Sequence, residues 1–395
     1  MKSIRQAKNL EGKRVLVRVD FNVRVNKNGE VDSNEAFKIE AVLPTIKFLL
    51  TKKAKIILMS HLGRPKGEIT PELKLGAAAD HLSKLLKKLV KKTSGVVGSA
   101  VEKEVAKLKE GEILVLENVR FEKGEEENDK KFTKDLAKLG DIFVNDAFGV
   151  CHREAASVSG ITKLLPSYAG LLLEAEVSAL EKIMMKPKKP LLVIMGGLKF
   201  ETKLPVIEKL LPKADKILLG GGLASTCLKA IGYGVGDSIV DNGYLPLAKK
   251  IAKNKKIVLP LDLIVGTKEG GCNFHHLPVP TKPCNLFDAP LAIYDIGPET
   301  IQTWSKLVKK ANTLIWNGPL GHFEQPPYNH GTISMARLIA ARSKCRAFGV
   351  VGGGETIAAL RQSKMAEYID HISTGGGAML EFLAGKKLPG IEALR

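Results

Sequence analysis

AFGVVGGGETI, residues 347–357, is the stretch that sets the fold. FGVV is short, apolar and β-branched, so it reads as a buried strand. The glycines at its exit permit positive φ and let the backbone approach a ligand closely. A helix follows, and its first N–H groups have no intrahelical partner and favour a phosphate. KILLGGGLAS (216–225) and IDHISTGGGAML (369–380) repeat the arrangement. One such loop is a weak signal. Three in one half of a chain point to a shared nucleotide cleft at the carboxyl ends of parallel strands.

Outward from these loops, strand-like runs alternate with helical segments. In the first half they are RVLVRVD (14–20), AKIILMS (54–60), EILVLEN (112–118) and DIFVNDA (141–147). In the second they are PLLVIMG (190–196), DKILLG (215–220), KIVLPLD (256–262), NTLIWNG (312–318), AFGVVGG (347–353) and IDHIST (369–374). A chain of 395 residues exceeds one ordinary core. The expectation is α/β, with two doubly wound, mainly parallel-sheet (Rossmann-like) domains. YAGLLLEAEVSALEKIMM (168–185) reads as an amphipathic helix that KPKKP (186–190) ends. The expected division is a first domain at 1–170, a hinge helix and linker at 171–189, and a second domain at 190–377.

The chain is 44 % hydrophobic and 26 % charged, the balance of a globular protein. No apolar run is long enough to span a bilayer. The N-terminus MKSIRQAKNLEGKRVLV lacks an apolar signal segment, so a cytoplasmic, non-membrane protein is expected. A net charge of +19 suits anionic partners. KLLKKLVKK (84–92) reads as the solvated face of a helix. Without an RNP-like motif or zinc-finger spacing, and with few aromatics, no specific nucleic-acid partner is expected. Cys151, Cys227, Cys272, Cys284 and Cys345 form no CxxC pair and read as reduced thiols. Cys272, His275, His276 and Cys284 fall close together, but their spacing departs from common zinc patterns, and an irregular loop is the favoured reading.

Polar groups with chemical potential follow the strands. In the first half they are Arg18, Asp20 and Asn22, then His61 and Arg64, then Arg120, then His152 and Arg153. Groups after four successive strands share one basin in an α/β sheet, and arginine forks bind phosphate or carboxylate. A small, highly anionic substrate is expected. In the second half, MGGLKFETK (195–203) places Gly196, Gly197, Lys199 and Lys203 after a strand. Two lysines four apart on a helix share a face and reach phosphate, or are simply solvated; spacing alone leaves both open. The Walker pattern is absent. IWNGPLGHFE (315–324) offers the Pro319 turn and Glu324 for ribose hydroxyls. GGGET (352–356) offers a phosphate nest with Glu355, a carboxylate able to hold Mg²⁺.

These residues resemble the phosphoglycerate kinase family. RVDFNV, SHLGRP, LENVRF, FVNDAFG, GGxK, WNGPLGxFE, GGGET and STGGGA occur in the family's order across nearly the whole chain. The resemblance implies a hinge-bending, monomeric, cytoplasmic kinase of glycolysis and gluconeogenesis. It would move a phosphoryl group reversibly between 1,3-bisphosphoglycerate/ADP and 3-phosphoglycerate/ATP, with Mg²⁺. A tail from about 378 to 395 would return to the first domain. Asp20, Phe21, Asn22, His61, Leu62, Gly63, Arg64, Arg120 and Arg153 would meet 3-phosphoglycerate. Gly196, Gly197, Lys199, Lys203, Gly220, Gly221, Pro319, Glu324, Gly352, Gly353, Gly354, Glu355 and Thr356 would meet the nucleotide, with Glu355 on the metal. Lys38 and Lys203, with the amides of Gly375, Gly376 and Gly377, would stabilise the transferring group.

Four positions depart from the family pattern. Lys38, fixed in the alignment by Pro44, stands where the family has its main catalytic arginine, and lysine lacks the planar fork. Glu355 stands for the metal-binding aspartate. Arg24 stands where proline is usual. Leu198 and Phe200 alter the GGAKV pattern at the nucleotide side. The first two motivate an alternative: a weakened or inactive relative with a binding or regulatory role.

Overall fold

The computed structural model describes residues 1–268, 274–344 and 346–395. The chain divides into two compact units, residues 1–178 with 387–395, and residues 179–386.

Unit 1 is built on six parallel strands: β1 (Arg14–Arg18), β2 (Lys55–Met59), β3 (Val90–Lys92), β4 (Ile113–Val115), β5 (Ile142–Asn145) and β6 (Ser167–Ala169). Their order is β3-β4-β2-β1-β5-β6. The sequence runs are continuously apolar because both faces are covered. Val15, Val17, Ile56, Leu58 and Val144 enter one core, while Leu16, Ile57, Met59 and Phe143 enter the other. That is the period of two expected of a strand.

KLLKKLVKK is not one helix. The helix Gly76–Leu86 stops at Lys87, whose φ of 50° is left-handed, and Val90–Lys92 becomes the sheet's edge. Lysines suit an edge strand because they discourage pairing with a second chain.

Unit 2 carries β7 (Leu191–Met195), β8 (Lys216–Leu219), β9 (Ile257–Val258), β10 (Asp262–Gly266), β11 (Phe274–Pro278), β12 (Ala292–Ile296), β13 (Thr313–Asn317), β14 (Phe348–Gly352) and β15 (His371–Ser373). Six form a parallel sheet in the order β15-β14-β13-β7-β8-β9. The remaining three form an antiparallel sheet, β11-β10-β12. KIVLPLD, read as one strand, is therefore split between two sheets. Pro260 explains the break, since it has no N–H to give a ladder.

In the larger sheet of unit 2, successive strands are added to one side of β7 as far as β9 and to the other side from β13 on, so the topological switch point, where α/β sheets bind ligands, lies between β7 and β13. The helix Leu171–Met185 covers most of the expected bridging segment, and the division between units falls inside it, after Ser178. The returning tail is shorter than 378–395. The helix Gly376–Leu383 belongs to unit 2, and only residues 387–395 join unit 1. No helix among the described residues is long and apolar enough to cross a membrane.

Candidate functional site

In unit 1, the loops after β1, β2, β4 and β5 enclose a cavity of about 260 Å³ lined by Asp20, Asn22, His61, Gly63, Arg64, Arg120, His152 and Arg153. Arg18 lies beneath it, 2 % exposed. Its Nε donates to Ser157 Oγ at 2.8 Å, and that hydroxyl donates to Glu125 Oε1 at 2.6 Å. Arg18 Nη2 lies 3.3 Å from His61 Nδ1. Burial, then the positive charge of Arg18, Arg120, Arg153 and Lys38, holds the His61 pKa well below its ordinary value. His61 is thus neutral near pH 7 and offers the cavity a hydrogen-bonding group rather than a charge.

Arg120 Nη1 donates to Gly63 O at 2.7 Å, and its Nε pairs with Glu126 at 3.2 Å. Arg153 lies 3.8 Å from the same Glu126 oxygen. Burial lowers the Arg120 pKa; Glu126 opposes this, while Arg153 and Arg18 add to it. Like charges gathered at this density call for an anion.

Asn22 ties the basin together: its N–H meets Asp20 Oδ1 at 3.2 Å, and its Oδ1 accepts from Gly63 N at 2.9 Å. Phe21 and Leu62, expected at the substrate, have buried side chains, and Phe21 N donates to Ser60 Oγ. They shape the loops from behind. Lys38 lines not this cavity but an adjoining one of about 460 Å³ that shares Asn22 and Gly63. Its Nζ donates to Asn22 O at 2.7 Å and to Glu35 Oε2 at 2.9 Å.

In unit 2, the exits of β7, β8 and β13 are joined backbone to backbone. Gly196 N donates to Asn317 O, Gly197 N to Pro319 O and Gly221 N to Leu320 O, at 2.8–3.0 Å. A Cβ on Gly196 or Gly318 would strike the opposite backbone, and Gly318 also has φ +94°. Beside this seam lies a cavity of about 520 Å³ lined by Gly197, Leu198, Gly221, Gly222, Ile239, Tyr294, Pro319, Glu324 and Glu355, among others. Its walls are mixed: Leu198, Ile239 and Tyr294 suit an apolar ring, and glycine backbone suits close approach. Phe200, the other altered side chain of the GGLKF motif, is fully buried away from this cavity.

Lys199 and Lys203 do not share a helix face. Lys199 is the extended N-cap of the helix Phe200–Leu210 and is exposed. Lys203 is half-buried and bonds through Nζ to Asn317 Oδ1, while Asn317 Nδ2 donates to Gly352 O at 2.9 Å. Burial lowers the Lys203 pKa to about 8, against the pull of Glu355. Glu355 stands exposed in the first turn of the helix Gly354–Gln362, where the helix dipole favours a carboxylate. Thr356 is buried, and its hydroxyl oxygen accepts from Gly318 N at 2.7 Å. It fixes the seam from inside. Gly220 and Gly196 are likewise buried. A Cβ on Gly376 would lie 3.6 Å from Gly353 Cα, so the second and third triplets are neighbours. Gly375 caps the helix Gly376–Leu383 and Gly377 is exposed at its start.

Among the described residues, no three of His, Cys, Asp and Glu gather as a metal site. Glu355, an exposed carboxylate lining the cleft, is an oxygen donor of the type Mg²⁺ takes. Of Cys272, His275, His276 and Cys284, Cys272 lies outside the described residues, and His276 Nε2 sits 2.7 Å from Asp262 Oδ2; Cys345 also lies outside them. Cys151, Cys227 and Cys284 are free thiols.

Sequence reading missed Asn317, Glu125, Ser157 and Glu126. Asn317 stands inside the WNGPLG motif, and its place at the carboxyl end of a strand is the available signal. The acidic partners carry none, because GEEEND reads as an ordinary acidic segment.

Two doubly wound sheets, one ending in a basic basin and the other in a glycine-lined cleft with a lysine and a carboxylate, define a phosphotransferase class. A model of the family described as "Phosphoglycerate kinase" matches residues 4–386. The phosphoglycerate kinase of Pelotomaculum thermopropionicum is 44 % identical over 390 residues, covering 98 % of this chain and 97 % of its own. That of Dictyoglomus turgidum is 45 % identical over 393 residues, covering 98 % and 96 %. The solved phosphoglycerate kinase of Pyrococcus horikoshii superposes with a TM-score of 0.88 at 32 % identity, covering 100 % of this chain and 98 % of that one. The chain belongs to the phosphoglycerate kinase family.

Proposed function

We propose that this protein transfers a phosphoryl group reversibly between 1,3-bisphosphoglycerate and ADP, giving 3-phosphoglycerate and ATP. The observation that carries the reading is the basic basin of unit 1, where Arg64, Arg120 and Arg153 line one small cavity around a neutral His61. It suits the substrate's remote phosphate and carboxylate. The cleft of unit 2 suits a nucleotide, with Gly352 to Glu355 at the phosphates and Glu324 near the ribose. Mg²⁺ bound by the nucleotide and Glu355 would neutralise phosphate charge. Lys38 and Lys203, with the amides of Gly375 and Gly376, would stabilise the group in transfer. Such chemistry needs positioning and charge neutralisation more than covalent catalysis.

The proposal includes closure of the two units on their ligands, a monomeric state and a cytoplasmic location. No observation favours an inactive relative: Lys38 and Glu355 keep the sign of charge that their positions require. A coupled assay in both directions tests the reading, and turnover is expected in each. Nucleotide binding without turnover in either direction sinks it. Scattering measured with and without both ligands tests closure; an unchanged radius of gyration removes that part.

A further inference from the structure

Two positions that depart from the family pattern, Arg24 and Lys38, meet on one carboxylate. Glu35 Oε1 accepts from Arg24 Nε at 2.9 Å, and Glu35 Oε2 accepts from Lys38 Nζ at 2.9 Å. Glu35 is largely buried, with its side chain 18 % exposed, and its pKa is held low by both cations although burial opposes them. It is therefore ionised at neutral pH. All three groups line the 460 Å³ cavity that adjoins the basic basin through Asn22 and Gly63.

We infer that Glu35 is the positioning residue for Lys38, and that Arg24 keeps this arrangement electrostatically acceptable to an anion. The inference rests on the reading that Lys38 acts on the transferring phosphoryl group. An arginine presents a planar fork whose geometry is pre-set. A lysine ammonium rotates on a flexible stem, so its position must be supplied by acceptors. Asn22 O and Glu35 Oε2 take two of its three donors and leave one for a phosphoryl oxygen.

This device has an electrostatic cost. Glu35 cancels the charge of Lys38, and Glu72 lines the same cavity. Arg24 restores the balance, so the four charged side chains sum to zero. Without Arg24 the wall facing an incoming triose phosphate would be net negative. Arg24 and Glu35 therefore have different tasks, and their removal should leave different kinetic signatures. Loss of position lowers kcat, whereas loss of positive charge raises KM and does so most at low salt.

The experiment measures kcat and KM for 3-phosphoglycerate, at low and high salt, in the full-length protein and in Glu35→Gln, Glu35→Asp, Arg24→Ala, Lys38→Ala and the Glu35→Gln/Lys38→Ala double variant. Glu35→Gln should lower kcat about tenfold without raising KM, because a misplaced group loses transition-state contact. Glu35→Asp should recover part of that loss. Glu35→Gln should add nothing once Lys38 is gone. Arg24→Ala should raise KM about two- to threefold at low salt, and the rise should vanish at high salt. A Glu35→Gln enzyme with kcat within about twofold of the parent, while Lys38→Ala is severely impaired, overturns the inference and leaves the reading of Lys38 standing. Lys38→Ala at parental kcat overturns both. Should Glu35→Gln fold poorly, Arg24→Ala keeps the test open. That side chain is 79 % exposed, and an unchanged KM at low salt would then refute the role given to Arg24.

Discussion

The two candidate half-sites are built in opposite ways. The basin of unit 1 is made of side chains: guanidinium groups, of which Arg18 and Arg120 are buried and steadied by a carboxylate, a hydroxyl or a carbonyl. The cleft of unit 2 is made of backbone: three strand exits whose glycines let peptide groups bond directly to one another. A charged side chain in a low-dielectric setting needs a partner in the empty protein, or its burial costs more than it gives. A peptide group carries no net charge and needs only geometry. The basin should therefore be sensitive to the loss of partners, and the cleft to the gain of a methyl group.

The largest effect is expected where a buried partner is removed. Glu125→Ala leaves the Arg18 guanidinium, 2 % exposed, without its carboxylate, and should cost about 3–5 kcal/mol in urea unfolding. A loss under about 1 kcal/mol would show that Ser157 Oγ and Val19 O, which accept from Arg18 Nε and Nη1, suffice. Next comes Lys38→Ala, expected to lower kcat about 10²-fold or more, as for other lost transition-state donors, while Lys38→Arg retains or raises it. Unchanged kcat in the alanine variant would remove Lys38 from the chemistry.

In the cleft, Gly318→Ala meets both a φ of +94° and the Gly196 backbone. It should cost about 1–3 kcal/mol of stability and weaken nucleotide binding, with KM for 3-phosphoglycerate unaffected. Equal damage to both substrates would mean that the two halves are not separable in this way.

The mildest test is pH. With the Lys203 pKa near 8, its charge fades above that value, so kcat/KM for nucleotide should fall about tenfold between pH 8 and pH 9–9.5, and Lys203→Arg should abolish the fall. For stability the sign is reversed. The folded pKa lies below the unfolded value, so the unfolded chain binds more protons between pH 8 and about 10.5. The cost of burying the Lys203 ammonium should thus shrink, and stability rise, across that window. A Lys203→Met variant with an unchanged pH profile of unfolding would contradict the burial of this ammonium.

The same contrast explains what was legible in the sequence. Glycine exits after β-branched runs are local, so the cleft and most strands could be read in order. Asn317 could not be read as the partner of Lys203, because that contact joins residues 114 apart. Glu125 and Ser157 escaped for the same reason: their contacts with Arg18 exist only once distant loops converge. Leu198 was legible as altering the nucleotide wall, but Phe200 beside it turned inward, and no local signal separates the two. Lysines hid β3, because a charged edge strand and a solvated helix face share a composition. The antiparallel β10–β12 sheet went unseen because KIVLPLD reads as one apolar run until Pro260 is given its structural weight.

One feature of unit 1 bears on how the protein is made. Gly390 N donates to Cys151 O at 2.9 Å, and Ile391 is buried in the same unit. Cys151 directly precedes His152 and Arg153, so the loop carrying part of the basin leans on residues 387–395. During synthesis the ribosome delivers residues 1–178 first, yet withholds their last packing partner until all of unit 2 has emerged. Unit 1 therefore cannot complete its packing until residues 387–395 have been made.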